Sequence, residues 1–118
     1  MKTFETTRQE IKNVSDLLYF FRELTPEEAN LLLYSSEVEV REYAIKYADR
    51  KTKIDRLLVE YNSNIVKGIL NTIGELTPEE ANKLLNSKNW MAIIYAMRNV
   101  NSKDLAKLRE IIIKELIN

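Results

Sequence analysis

Apolar residues return at helical spacing in nearly every window of this chain. Ile54, Leu57, Leu58 and Tyr61 fall at i, i+3, i+4 and i+7, one face of a helix. Ile65, Val66, Ile69, Leu70 and Ile73 form a second such stripe, closed by Gly74 as a C′ residue. Val40, Tyr43, Ala44, Tyr47 and Ala48 line a helix over 38–50, and Trp90 to Val100 reads as a very apolar helix carrying Ile93, Ile94, Ala96 and Met97. The last helix, capped by Ser102, turns Leu105, Leu108, Ile111, Ile112 and Leu116 inward. At the N-terminal end Phe4, Ile11, Val14, Leu18 and Phe21 fit one helical face over 6–22, which either runs unbroken or restarts at Asn13 or Ser15. No segment alternates as a strand; Ile111-Ile112-Ile113 sits in a Lys/Glu-rich helical frame.

One stretch occurs twice. Glu23-Leu24-Thr25-Pro26-Glu27-Glu28-Ala29-Asn30 returns 52 positions later as Glu75-Leu76-Thr77-Pro78-Glu79-Glu80-Ala81-Asn82. A fixed period marks a duplicated supersecondary unit. Each copy predicts a helix start: Thr25 and Thr77 as N-caps, Pro26 and Pro78 at the first helical position, Glu28 and Glu80 completing capping boxes. Leu24 and Leu76 are placed as hydrophobic staples, while Glu27 and Glu79 oppose the positive end of the helix dipole. The short helices run from Pro26 to about Ser35 and from Pro78 to about Asn86, and Thr52 opens the next helix after the first pair. At the same offset Tyr43-Ala44 matches Tyr95-Ala96, so the duplication extends past the caps. The pattern predicts an all-α protein: a compact bundle of six to eight short helices in hairpins, a single domain over 1–118 with repeat units at about 24–74 and 76–118.

Leu31-Leu32-Leu33, a Ser-containing turn, and Val40-Arg41-Glu42-Tyr43-Ala44-Ile45-Lys46-Tyr47-Ala48 resemble the second helix of a HEAT-type repeat, where a Val-Arg pair and spaced alanines are characteristic. The resemblance covers Leu24–Asp49 and, more faintly, Leu76–Val100, where Ala92-Ile93 replaces Val40-Arg41. It implies stacked helical hairpins, either as a compact pseudo-symmetric bundle or as an open superhelix.

Composition narrows the chemistry. Eighteen basic and eighteen acidic residues balance, so no global field draws nucleic acid or an anionic membrane. Cysteine and histidine are both absent, removing thiolate and imidazole ligands, disulfides and the commonest general base; this fits an intracellular, cytoplasmic protein. The charged start Met1-Lys2-Thr3-Phe4-Glu5 does not read as a signal peptide, and no apolar run approaches membrane-spanning length. Richness in Lys, Glu, Ile and Tyr is a bias of heat-adapted proteins, although eleven Asn residues run against it. Phosphate loops, nucleophile elbows and zinc motifs are missing, so the chain reads as a non-enzyme without cofactor or metal.

Two kinds of binding remain. The leading expectation is a protein-interaction module whose partner is another protein or the chain itself. Tyr19 and Tyr34 are its candidate aromatic contacts, and Ile113 and Ile117 its candidate apolar ones, because one bundle face cannot cover every apolar position of the final helix. The alternative is nucleic-acid binding through Arg41, Lys46, Arg50, Lys51, Lys53 and Arg56, with Ile54 to Gly74 as a candidate helix-turn-helix-like arrangement. The paired glutamates are read as capping charges. Asn30 and Asn82, poor interior helix residues at matching positions, are read as side chains bonding a neighbouring helix end or as simple inheritance from the duplication, in preference to a pair of related polar contacts on one surface.

Overall fold

The computed structural model describes residues 22–100 and 103–117. The expected N-terminal helix, Tyr19 and the Ser102 cap lie outside them. Among the described residues the protein is all-α, with seven helices and, in place of any strand, one isolated bridge between Leu76 and Val100. The chain divides into two units, Met1–Asp49 and Arg50–Asn118, so the division falls within the expected repeat unit at 24–74.

The first unit contains α1 (Pro26–Leu32) packed on α2 (Val38–Ala44). The Thr25 hydroxyl accepts from the Glu28 amide at 3.2 Å, and the Glu28 carboxylate accepts from the Thr25 amide at 2.8 Å, closing the capping box. Leu24, Ala29, Leu33, Val40, Ala44 and Ile45 are buried around it. The second helix is shorter than its periodicity predicts. After Ala44 the amides of Lys46 and Tyr47 reach back only three residues, to Tyr43 and Ala44, tightening the backbone into a turn. Asn30 then fixes the exit: its Oδ1 accepts from the Asp49 amide at 2.9 Å and its Nδ2 donates to the Asp49 carboxylate at 2.7 Å. The next helix accordingly starts at Arg50 rather than Thr52.

The second unit holds α3 (Arg50–Leu57), α4 (Ser63–Ile73), α5 (Pro78–Leu84), α6 (Trp90–Arg98) and α7 (Leu105–Ile117). Helix α4 begins where the Asn62 side chain accepts from the amides of Asn64 and Ile65. Its stripe of Ile65, Val66, Ile69, Leu70 and Ile73 is buried, and the helix packs on α3 and α6. Gly74 ends it at φ 61 and ψ −141, a region an L side chain rarely enters. Helix α5 repeats the capping box of α1 with Thr77 and Glu80, at 3.1 and 2.9 Å, and packs on α3, α6 and α7. The serine turns correspond too: Ser35 and Ser87 each accept, through the hydroxyl, from the amide two residues on. Ala29 and Ala81 are fully buried, as are Ala44 and Ala96.

Candidate functional site

The six basic residues of the expected nucleic-acid surface divide between the units, and most are engaged at home. In the first unit Arg41 is buried, its guanidinium donating to the Ser35 carbonyl at 2.8 Å. Lys46 lies over the Tyr43 ring. In the second unit Arg50 joins three structures at once. Its Nε and Nη2 both donate to the Glu80 carboxylate at 2.9 Å, Nη2 also donates to the Glu75 carbonyl at 2.8 Å, and Nη1 donates to the Ile73 carbonyl. The planar fork suits this task because it serves a carboxylate and two carbonyls together. Its hydrogen bonds hold the Glu80 carboxyl below the ordinary glutamate value, and Glu80 in turn raises Arg50.

Lys53 donates to the Thr72 hydroxyl at 3.0 Å; partial burial, and then the neighbouring Arg50 charge, push its ammonium down. Arg56 donates to Glu60 at 2.9 Å. Glu60 is the one acidic residue among the described buried side chains, 1% exposed, and its second oxygen accepts from the Asn62 amide at 3.1 Å. Lys51 is exposed, at the rim of a groove of about 400 Å³ between α3 and α5. Across that groove Lys83 pairs with Asp55. Helix α5 is also tied to α7, since Lys107 pairs with Glu79 at 2.8 Å and lowers its carboxyl.

The apolar surface is more open. Tyr34, Ile113 and Ile117 are exposed. On α7 Leu105 and Leu116, expected to turn inward, are exposed as well, because only Leu108 is buried there. A second exposed face went unpredicted. On α6, Trp90, Ile94 and Met97 are 75%, 42% and 64% exposed, at i, i+4 and i+7. Periodicity alone puts Ile94 and Met97 on a very apolar helix without separating its faces. The helix is two-sided: Ala92 and Ala96 pack inward at 0% exposure and the bulky residues point out. The duplication held part of the signal, although Met97 aligns with buried Ile45. Ala92 and Ala96 align with Val40 and Ala44, both buried, whereas Ile94 aligns with Glu42, which is exposed. The face has Lys88 before it and Arg98 at its end, and α6 itself carries no acidic residue.

Tyr61 is also exposed, with the Lys88 ammonium 5.8 Å from its ring centre and 3.3 Å from its hydroxyl. Tyr95 instead donates to the Gly74 carbonyl at 2.5 Å, and burial raises its phenol. Among the described residues no group of three or more Asp or Glu is placed to hold a metal, and no helix is long and apolar enough to cross a membrane. No family model matches the chain, and neither a curated protein nor a solved structure matches it.

Proposed function

We propose that this chain is a non-enzymatic protein-binding module and that the α6 face of Trp90, Ile94 and Met97 is its contact surface. The observation that carries the reading is that face: three bulky apolar side chains in register on one helix, turned to solvent while alanines fill the inner side. Tryptophan and methionine are over-represented where proteins meet, and one large exposed aromatic is the usual anchor of such a contact. The partner is an apolar surface with an acidic rim, since Lys88 and Arg98 flank the stripe without acidic neighbours on α6. We read the paired hairpins α1/α2 and α5/α6 as HEAT-like units presenting this surface.

Trp90 is the sole tryptophan, so its emission reports on the face directly. The test is selection of displayed helical peptides on the wild-type chain, with counter-selection on Trp90→Glu. Acidic amphipathic peptides that shift the Trp90 emission to the blue support the proposal. Peptides that bind both chains equally, or leave the emission unmoved, refute it. Nucleic-acid binding has weaker support, because Arg50, Lys53 and Arg56 already hold partners within their own unit.

A further inference from the structure

Formal net charge is zero over the whole chain, but the charges are not spread evenly. Residues 1–49 carry ten acidic and six basic side chains, and residues 50–118 carry eight acidic and twelve basic. That boundary is the one between the two units, so the first unit is acidic and the second basic. The segregation is sharpest over 23–45, which holds α1 and α2. Six glutamates stand there against one basic residue, Arg41, which is buried with its guanidinium on the Ser35 carbonyl.

This acidic surface has an apolar centre. Leu31 is 77% exposed, with Glu27 and Glu28 one turn before it on the same side of α1. Tyr34 and Val38, on the way into α2, are exposed too, and Glu37 and Glu39 flank Val38. At the place of Leu31 the second copy has Lys83, which pairs with Asp55 inside its own unit. The first copy thus has an exposed leucine where the second has an engaged cation. Apolar at the centre and acidic around it, the surface complements the α6 face, where Lys88 and Arg98 border Trp90, Ile94 and Met97.

We infer that the α6 face of one molecule docks on the α1–α2 surface of a second copy of this chain. Two other surfaces of a second copy fit worse. Pairing two α6 faces sets the cations of one against those of the other. The α7 surface mixes Lys107, Arg109 and Lys114 with Glu110 and Glu115, so it offers no acidic rim. Zero net charge removes the overall repulsion that would keep copies apart. The inference rests on the α6 reading and names its partner. Because two different surfaces meet, the contact is heterologous: it continues from copy to copy or closes into a ring.

Trp90 is the only tryptophan, so a mixture of two variants isolates one contact. Leu31→Lys keeps Trp90 and loses the α1–α2 surface; Trp90→Ser keeps that surface and is free of tryptophan. Both positions are exposed, and circular dichroism checks that each variant folds; where one loses helix, Leu31→Ser or Trp90→Gln takes its place. Titrating Trp90→Ser into Leu31→Lys at low salt is expected to move the emission to the blue until it saturates. The shift is expected to shrink as salt rises. The double variant, Leu31→Lys with Trp90→Ser, is expected to leave the emission unmoved. No shift, or an equal shift with the double variant, overturns the inference. So does a wild-type emission already bluer than that of Leu31→Lys at high dilution, which means that a single chain covers its own face. If acidic peptides shift Trp90 when the chain does not, the second copy fails as partner and the α6 reading stands; if neither does, both fail.

Discussion

Arg22 and Gly74 stand 52 positions apart and share a left-handed backbone, φ 55 and φ 61. The residue before each repeated stretch thus takes a positive φ in both copies, with a different amino acid in each. A side chain at such φ costs about 1–2 kcal/mol, which glycine avoids. Arg22→Gly is therefore expected to stabilise the chain by roughly 0.5–1 kcal/mol. Gly74→Ala is expected to destabilise it by about 1–3 kcal/mol, although nothing lies within 4 Å of the added methyl. Urea titration of both variants measures the opposite signs.

The two duplicated asparagines are unequal. Asn30 satisfies both ends of its amide on Asp49, while Asn82 donates to Glu115 at 3.0 Å and its buried Oδ1 finds no partner among the described residues. Asn30→Ala should cost about 1–2 kcal/mol. Asn82→Ala should cost less, since it also removes an unsatisfied acceptor. Equal losses in thermal melts contradict this ranking.

Glu60 is expected to be the most sensitive charged position. Replacing it by Ala removes the carboxylate to which Arg56, only 15% exposed, donates, and the oxygen that accepts from the Asn62 amide. Breaking a buried pair from one side costs on the order of 3 kcal/mol. Glu60→Gln, which keeps an oxygen for that amide, should recover part of the loss in the same unfolding assay.

The Arg50–Glu80 pair makes stability depend on acid. Glu80 lies below its ordinary value in the folded chain, so the unfolded chain takes up its proton first as pH falls. The contribution is complete above the unfolded glutamate value of about 4.3 and disappears as pH drops through the lower folded value. Arg50 is partly exposed, so the pair is worth about 1 kcal/mol after solvent screening. Stability of the wild type and of Glu80→Gln, followed from neutral pH to pH 3, should converge at the acid end. A constant gap across the range contradicts the linkage.

Duplex DNA is expected to show no salt-sensitive binding by fluorescence anisotropy, because formal net charge is zero and four of the six candidate cations donate to groups of the chain itself. Reversing Lys51, Lys53 and Arg56 to Glu should leave the signal flat. Binding that collapses with salt and with those reversals restores the nucleic-acid reading.

The two repeated helix starts were legible because each rests on contacts within three residues: Thr25 with Glu28 and Thr77 with Glu80. The bond from Asn30 to the start of a neighbouring helix was legible in kind, since a polar side chain inside a helix must find a partner, but its target was not. Asp49 is 19 residues away, and its position depends on how tightly the chain turns after Ala44. The α6 face was hidden by a helix apolar on both sides, where periodicity has no contrast to read.

By itself the sequence determined the all-α class, the caps and the duplication, because local hydrogen bonding and 3.6-residue periodicity act over single turns. Tertiary structure decided that Ala92 and Ala96 face inward while Trp90 and Met97 face out, that Arg50 spends its cation on Glu80, and that Glu60 is buried. Each outcome depends on which surface a distant segment brings into contact. Small residues let helices approach closely, so α6 packs through its alanines and leaves its larger side chains to solvent.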